Sequence, residues 1–142
     1  MSMRIDFYLL RNSNLAAEEL ACRLTAKSFE SGRNVLILSD DDAQRQRLDE
    51  LLWTFDPQRF IPHGMVGSAD GQGAPVRIGD EEGQEPVVID MRDGPPLTGS
   101  PERVLDVVAD NEAARTAARN RYRGYRAANA RVQHHEIGTV HG

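Results

Sequence analysis

Between Glu112 and Arg131 the chain reads EAARTAARNRYRGYRAANAR, six arginines against one acid. Guanidinium forks take carboxylates and phosphates through paired N–H groups, and tyrosines among them add stacking surface, so the chemistry on offer is anion recognition. The segment contributes +5 to a chain whose formal net charge is −5, which leaves the remainder near −10. Charge segregated in this way draws an anion to one face while the rest of the molecule repels it.

Helical geometry sorts these residues. At about 100° per residue, Arg115, Arg119, Tyr122, Arg123 and Arg126 fall within roughly a third of the circumference. Ala114, Ala118, Arg121 and Tyr125 occupy the opposite side, where the alanines let the helix lie close to a sheet. Arg121 is the odd member there and is expected to snorkel at an edge. Acids at i,i+4 spacing are missing, so the arginine row is expected to carry repulsion that an anionic ligand relieves. A phosphate backbone and an acidic peptide both suit Arg and Tyr. The sequence pI of about 5.3 argues against a large nucleic-acid footprint, for which a value above ~9 is usual, and a small acidic partner fits better.

A second candidate surface is the connector FDPQRFIPH after a helix ending near Trp53. Trp53, Phe55, Phe60, Ile61 and Pro62 crowd into the residues before His63. They serve either as a cap on the sheet or as a protein–protein patch, since Trp and Phe anchors dominate such interfaces.

Other chemistry is missing from the sequence. The loop after the first expected strand is Arg11-Asn12-Ser13-Asn14, without the glycines that let backbone approach a pyrophosphate. The only lysine, Lys27, lies inside an expected helix, and no phosphate-loop motif exists. Asp40, Asp41 and Asp42 suit a helix N-terminus better than a metal. His134, His135 and His141 fall in a polar tail read as frayed. Cys22, the single cysteine, reads as a buried inert thiol. No nucleophile sits with a base. No catalytic residue, cofactor or metal site is therefore expected.

The elements that must position these residues follow from periodicity. Strands are expected from Arg4 to Leu10, Asn34 to Leu38, Pro75 to Ile78, Pro86 to Asp90 and Arg103 to Ala109. Helices are expected from about Asn14 to Glu30, from Asp40 to Trp53, and over the arginine segment. Gly32 suits a left-handed C-cap, and Ser39 with Asp42 resembles a capping box. The stretch from Gly64 to Pro75 has four glycines and reads as a mobile surface loop. Strands alternating with helices argue for one α/β domain with a mainly parallel sheet. Residues 1–128 form that domain and 129–142 a polar, frayed tail. The apolar run near the N-terminus is too short for a membrane span or a leader, and with one cysteine a cytoplasmic location is the default.

Taken in order, FYLL, SGRNVLIL, LDELLWTFDPQRFIPH, GAPVRI and RNRYRGYR resemble the chi subunit family of bacterial DNA polymerase III. The similarity runs from about Arg4 to Ala128, and the segment after Asp90 and the tail depart from the family's pattern. The resemblance implies a Rossmann-like three-layer fold without a nucleotide site. It also implies a non-catalytic accessory role in a DNA-directed DNA polymerase holoenzyme. In that role the protein binds the acidic, phenylalanine-terminated C-terminal tail of single-stranded DNA-binding protein and joins the clamp loader through the psi subunit, touching DNA mainly indirectly. The implied tail-binding positions are Val108, Arg115, Arg119, Tyr122 and Arg123, with Val108 as an apolar floor and Arg119 gripping the carboxylate. The implied psi contacts are Trp53, Phe60, Pro62 and His63. A direct single-stranded nucleic-acid binder using the stripe from Arg115 to Arg126 is the alternative.

Overall fold

A computed structural model describes residues 3–139. His141, read with the tail, lies outside the described residues. In chain order the elements are β1 (Arg4–Leu10), α1 (Ala17–Glu30), β2 (Val35–Leu38), α2 (Asp42–Thr54), β3 (His63–Met65), β4 (Val76–Gly79), β5 (Val87–Asp90), β6 (Arg103–Val108), α3 (Glu112–Ala127) and β7 (Arg131–Ile137). The seven strands form one sheet in the order β3-β4-β2-β5-β6-β1-β7, and every pairing is parallel.

The central strands are apolar on both faces because both are covered. β2 (VLIL) is buried at every position. Its Val35 and Ile37 pack with Leu20, Leu24, Leu48 and Leu52 of α1 and α2 on one face. Leu36 and Leu38 point to the other face and meet the cluster beneath α3, with Ile5, Phe7, Val104, Val108, Ala114, Ala118 and Tyr125. The period-2 alternation thus divides one strand between two cores, and the result is the three-layer α/β domain expected.

Two strands escape the sequence reading. β3 opens the glycine-rich stretch, pairing His63 with Val76 and Met65 with Ile78. The loop that follows is folded tightly on itself. A Cβ on Gly64 would overlap the backbone of Asp70 and Gly71, and one on Gly71 would overlap the Met65 carbonyl. Glycine is required there for close approach of backbone to backbone. The second missed strand corrects the frayed tail: Arg131–Ile137 is β7, paired along β1 from Arg4↔Arg131 to Leu10↔Ile137. Its polar composition is that of an edge strand, half solvated along its length. His135 stacks on Tyr8 with ring centroids 4.7 Å apart and bonds Asp6 Oδ1 at 2.9 Å, which ties the strand down.

Local expectations fare variously. Gly32 has φ of +85° and its N–H bonds the Phe29 carbonyl, as a C-cap requires. Asp41 caps α2, accepting from the Ala43 N–H at 3.0 Å. Ser39 donates to Gln44 at 2.6 Å, so the expected box with Asp42 does not form. Helix α1 starts at Ala17, and its N-cap Ala16 offers no side-chain acceptor.

Candidate functional site

Helix α3 is the element on which the arginines depend. Asn111 caps it by accepting from the Ala114 N–H at 2.8 Å. Ala114 and Ala118 are buried against the sheet. The reading of Arg121 as an edge residue is wrong: it is 1% exposed and makes a bidentate ion pair with Asp106 of β6 at 2.8 and 3.0 Å. Burial pushes the Asp106 carboxyl up, and the Arg121 fork opposes that push. Burial wins, so the net shift of the Asp106 carboxyl is upward, while the Arg121 guanidinium keeps its proton at any working pH. Gly124 allows Pro96 to cross the helix, because a Cβ there would lie 2.5 Å from Pro96 Cγ. The Tyr125 hydroxyl accepts from the Leu97 N–H at 3.1 Å. The inner face of α3 is therefore locked to the sheet and to the 91–101 loop, which fixes the direction of the outer face.

That outer face is less repulsive than the sequence suggests. Arg115 Nη1 reaches Asp110 at 2.9 Å, and its Nε reaches Glu112 at 3.5 Å. Arg119 shares Glu112 at 3.4 Å. Arg119 and then Arg115 hold the Glu112 carboxyl below its usual range. The Asn12 N–H and then Arg115 do the same for Asp110. Neither acid stands at i,i+4: Asp110 precedes the helix and Glu112 opens it. Farther along, Arg123 bonds the Asn120 side chain at 3.0 Å, while Arg126 donates to the Tyr122 hydroxyl at 3.1 Å with its guanidinium carbon 5.8 Å from that ring's centroid.

A cavity of about 150 Å³ opens between α3 and the β1–β7 side of the sheet. Arg115, Ala118, Arg119 and Tyr122 line it from the helix. Phe7, Leu9 and Arg11 line it from β1 and its end, and His134 from β7. The rings form a continuous wall: His134 stacks on Phe7 at 5.5 Å and tilts against Tyr122 at 5.0 Å. The cavity has an apolar, aromatic floor and guanidinium groups at its rim, which suits a ligand combining a hydrophobic side chain with a carboxylate.

Arg115, Arg119 and Tyr122 are thus brought together. Arg123 is exposed on the same helix but outside the cavity lining. Val108 is 1% exposed, packed among Ile5, Ala114 and Ala118, and does not line the cavity. Leu9 and Ala118 add apolar lining beside the rings in its place. Phe7 and Leu9 are not apparent from the sequence because β1 reads as plain core, nor is His134, because β7 reads as tail. Val132 and Ile137 in RVQHHEI were the available strand signal, too sparse to outweigh its polarity.

The second surface separates into a support and a display. His63 is buried; its Nδ1 lies 2.8 Å from the Ile61 carbonyl and its Nε2 2.9 Å from the Asp49 carbonyl. It fastens the connector to α2. Pro62 is half-buried beside it. Trp53 and Phe60 are 49% and 70% exposed, with ring centroids 5.6 Å apart. These two rings are the accessible part of the predicted patch.

The crevice at the carboxyl ends of β2 and β5, where open α/β sheets hold nucleotides, is lined by Asp40, Asp41 and Asp93. Its one arginine, Arg92, is engaged by the Asp90 carboxylate at 2.9 and 3.0 Å. Such a lining repels phosphate. Among the described residues no group of three or more His, Cys, Asp and Glu could hold a metal ion, and no helix is long and apolar enough to cross a membrane.

The family profile described as DNA polymerase III chi subunit, HolC, matches residues 1–133. The chain belongs to the DNA polymerase III chi subunit family. A chi subunit from Haemophilus influenzae is 33% identical over 132 residues, covering 89% of this chain and 92% of the relative. That of Pseudomonas aeruginosa is 32% identical over 142 residues, covering 96% and 99%, and that of Escherichia coli 33% over 132 residues, covering 86% and 90%. The chi subunit is a DNA replication component of a polymerase complex, and this chain carries that fold over the described residues.

Proposed function

We propose that this chi-family protein is a non-catalytic adaptor. It takes the acidic C-terminal tail of single-stranded DNA-binding protein in the α3–β1/β7 groove, and it reaches the clamp loader through a psi-type partner at Trp53 and Phe60. The observation that carries the first part is the cavity itself, an aromatic floor of Phe7, Tyr122 and His134 beneath the Arg115 and Arg119 forks. A tail ending in phenylalanine would place its ring on that floor and its carboxylate on Arg119. Arg115 and, from outside the lining, Arg123 would attract the upstream acids. Affinity should fall with salt, since rim charges are screened over ~8–10 Å.

The second part is supported by an exposed Trp–Phe pair braced from beneath by a buried histidine, as an interface anchor needs. Val108 would act through packing, by seating Ala114 and Ala118 of α3, and not by touching the ligand.

The test is titration of a fluorescein-labelled, aspartate-rich peptide ending in phenylalanine. Removing a charge-assisted bond with Arg119→Ala should weaken it at least ~10-fold. Replacing the last phenylalanine by alanine should weaken it similarly. Equal affinity for both proteins, or indifference to the terminal residue, overturns the assignment. The alternative, direct binding of single-stranded nucleic acid, predicts that an oligonucleotide alone binds with a salt slope of ~0.7 per phosphate neutralised.

A further inference from the structure

The groove has a second wall. Arg11 follows β1 directly and lines the cavity across from α3. Its position is well determined: the Arg11 N–H donates to the Ile137 carbonyl at 3.1 Å, and the next N–H, on Asn12, donates to Asp110 Oδ2 at 2.9 Å. Asp110 in turn holds Arg115, so a single carboxylate ties the end of β1 to the start of α3. The walls of the groove are thereby held at a set separation.

The Arg11 side chain is not satisfied by a close bond. Its partner is Glu136 of β7, with Nε to Oε1 at 3.5 Å and both side chains more than half exposed. Charge-assisted N–H···O bonds are normally ~2.7–2.9 Å, so a carboxylate arriving in the groove can make a better contact than Glu136 does. Glu112 relates to Arg119 in the same way on the opposite wall, at 3.4 Å. Each wall thus presents one guanidinium loosely engaged by one resident glutamate.

We propose that Arg11 is the second cationic jaw of the groove, taking an acidic side chain upstream of the peptide's terminal residue, and that Glu136 is the internal competitor that a ligand must displace from it. The proposal rests on the tail-binding reading of the same groove. The ligand it selects has two separated carboxylates, one for Arg119 and one for Arg11, with an apolar ring between them on Phe7, Tyr122 and His134. A peptide ending in an apolar residue without upstream acids would meet only one jaw and leave Glu136 in place.

The experiment is a cycle across protein and peptide. The labelled aspartate-rich, phenylalanine-terminated peptide is titrated against wild type, Arg11→Ala, Glu136→Gln, the double variant and Arg119→Ala, with thermal denaturation confirming that each is folded. Arg11→Ala should weaken binding about 5–10-fold, and Glu136→Gln should tighten it about 2–4-fold. In the Arg11→Ala background Glu136→Gln should lose its effect, which a general gain of positive field would not do. Changing the peptide's aspartates to asparagines should weaken wild type strongly and Arg11→Ala much less. If Arg119→Ala weakens binding while Arg11→Ala stays within twofold of wild type, Arg11 is not a jaw and the tail reading stands alone. If Glu136→Gln does not tighten binding, or tightens it equally without Arg11, the competitor role is wrong. If wild type does not bind the peptide at all, the tail reading itself fails and takes the inference with it.

Discussion

Replacing Arg121 by alanine tests the element on which the whole groove depends. The guanidinium and the Asp106 carboxylate are both essentially inaccessible to water, and they meet through two bonds at 2.8 and 3.0 Å. Removing one partner of a buried pair leaves the other either charged without compensation or forced to neutralise by taking up a proton, at a cost of roughly 3–5 kcal/mol. At about 2 kcal/mol per M of urea this lowers the unfolding midpoint by about 2 M. The intact pair already holds the Asp106 carboxyl above its usual range, and without Arg121 nothing of comparable strength opposes burial, so the variant should keep that carboxyl protonated to a higher pH than wild type. A buried acid whose folded value is raised binds more protons folded than unfolded. Its stability is therefore lost as pH rises above ~4 toward the raised folded value, and the variant should be more stable at pH 5 than at pH 8 by urea melts monitored by circular dichroism. A paired substitution, Arg121→Met with Asp106→Leu, removes both charges and should recover most of the loss. A cost below about 1 kcal/mol for Arg121→Ala, or a pH trend no steeper than that of wild type, would refute the claim that this pair anchors α3.

Other consequences follow from the same packing. Trp53→Ala and Phe60→Ala, at exposed rings, should change stability by less than ~1 kcal/mol, whereas His63→Ala should cost ~1–3 kcal/mol by removing a buried ring and the N–H bond it donates to the Ile61 or Asp49 carbonyl; chemical denaturation separates them. Although burial raises the Asp6 carboxyl, the bonds from His135 and Arg103 and the charge of Arg4 outweigh it, and the net shift is downward. The stability Asp6 contributes is present above ~4 and is lost as pH falls through its lower folded value. His135→Ala should therefore destabilise at neutral pH, with the difference from wild type shrinking below pH ~4 in an acid titration. Burial pushes the Cys22 thiol up to about 12, so its reaction with a thiol reagent at pH 8 should occur only at the rate of unfolding; fast labelling of the native protein contradicts its burial.

Much of the fold was legible because its signals are local. The continuous apolar runs of β2 and β5, the Gly32 cap and the 3.6-residue spacing of α3 each report on a few neighbouring residues. What was illegible depended on distant partners. β7 is polar and acquires its strand identity only from β1, more than a hundred residues earlier. β3 is a His-Gly-Met segment that becomes a strand by pairing with β4. Arg121 and Arg123 look alike in the sequence, yet one faces Asp106 in the core and the other faces solvent. The candidate site divides on the same line. Arg115, Arg119 and Tyr122 share one helix, so spacing alone groups them, whereas Phe7, Leu9, Arg11 and His134 come from other strands and their ends.

By itself the sequence determined the family, the α/β layering and the sign of the charge on α3, because these reside in residue types and short-range periodicity. Only the tertiary structure decided that the stripe is one wall of a groove, that Val108 lies beneath it and not in it, and that Asp110 and Glu112 already engage two of its arginines. Which side chains meet across a cavity is set by strand order and register. Those are global properties of the chain, and no local window contains them.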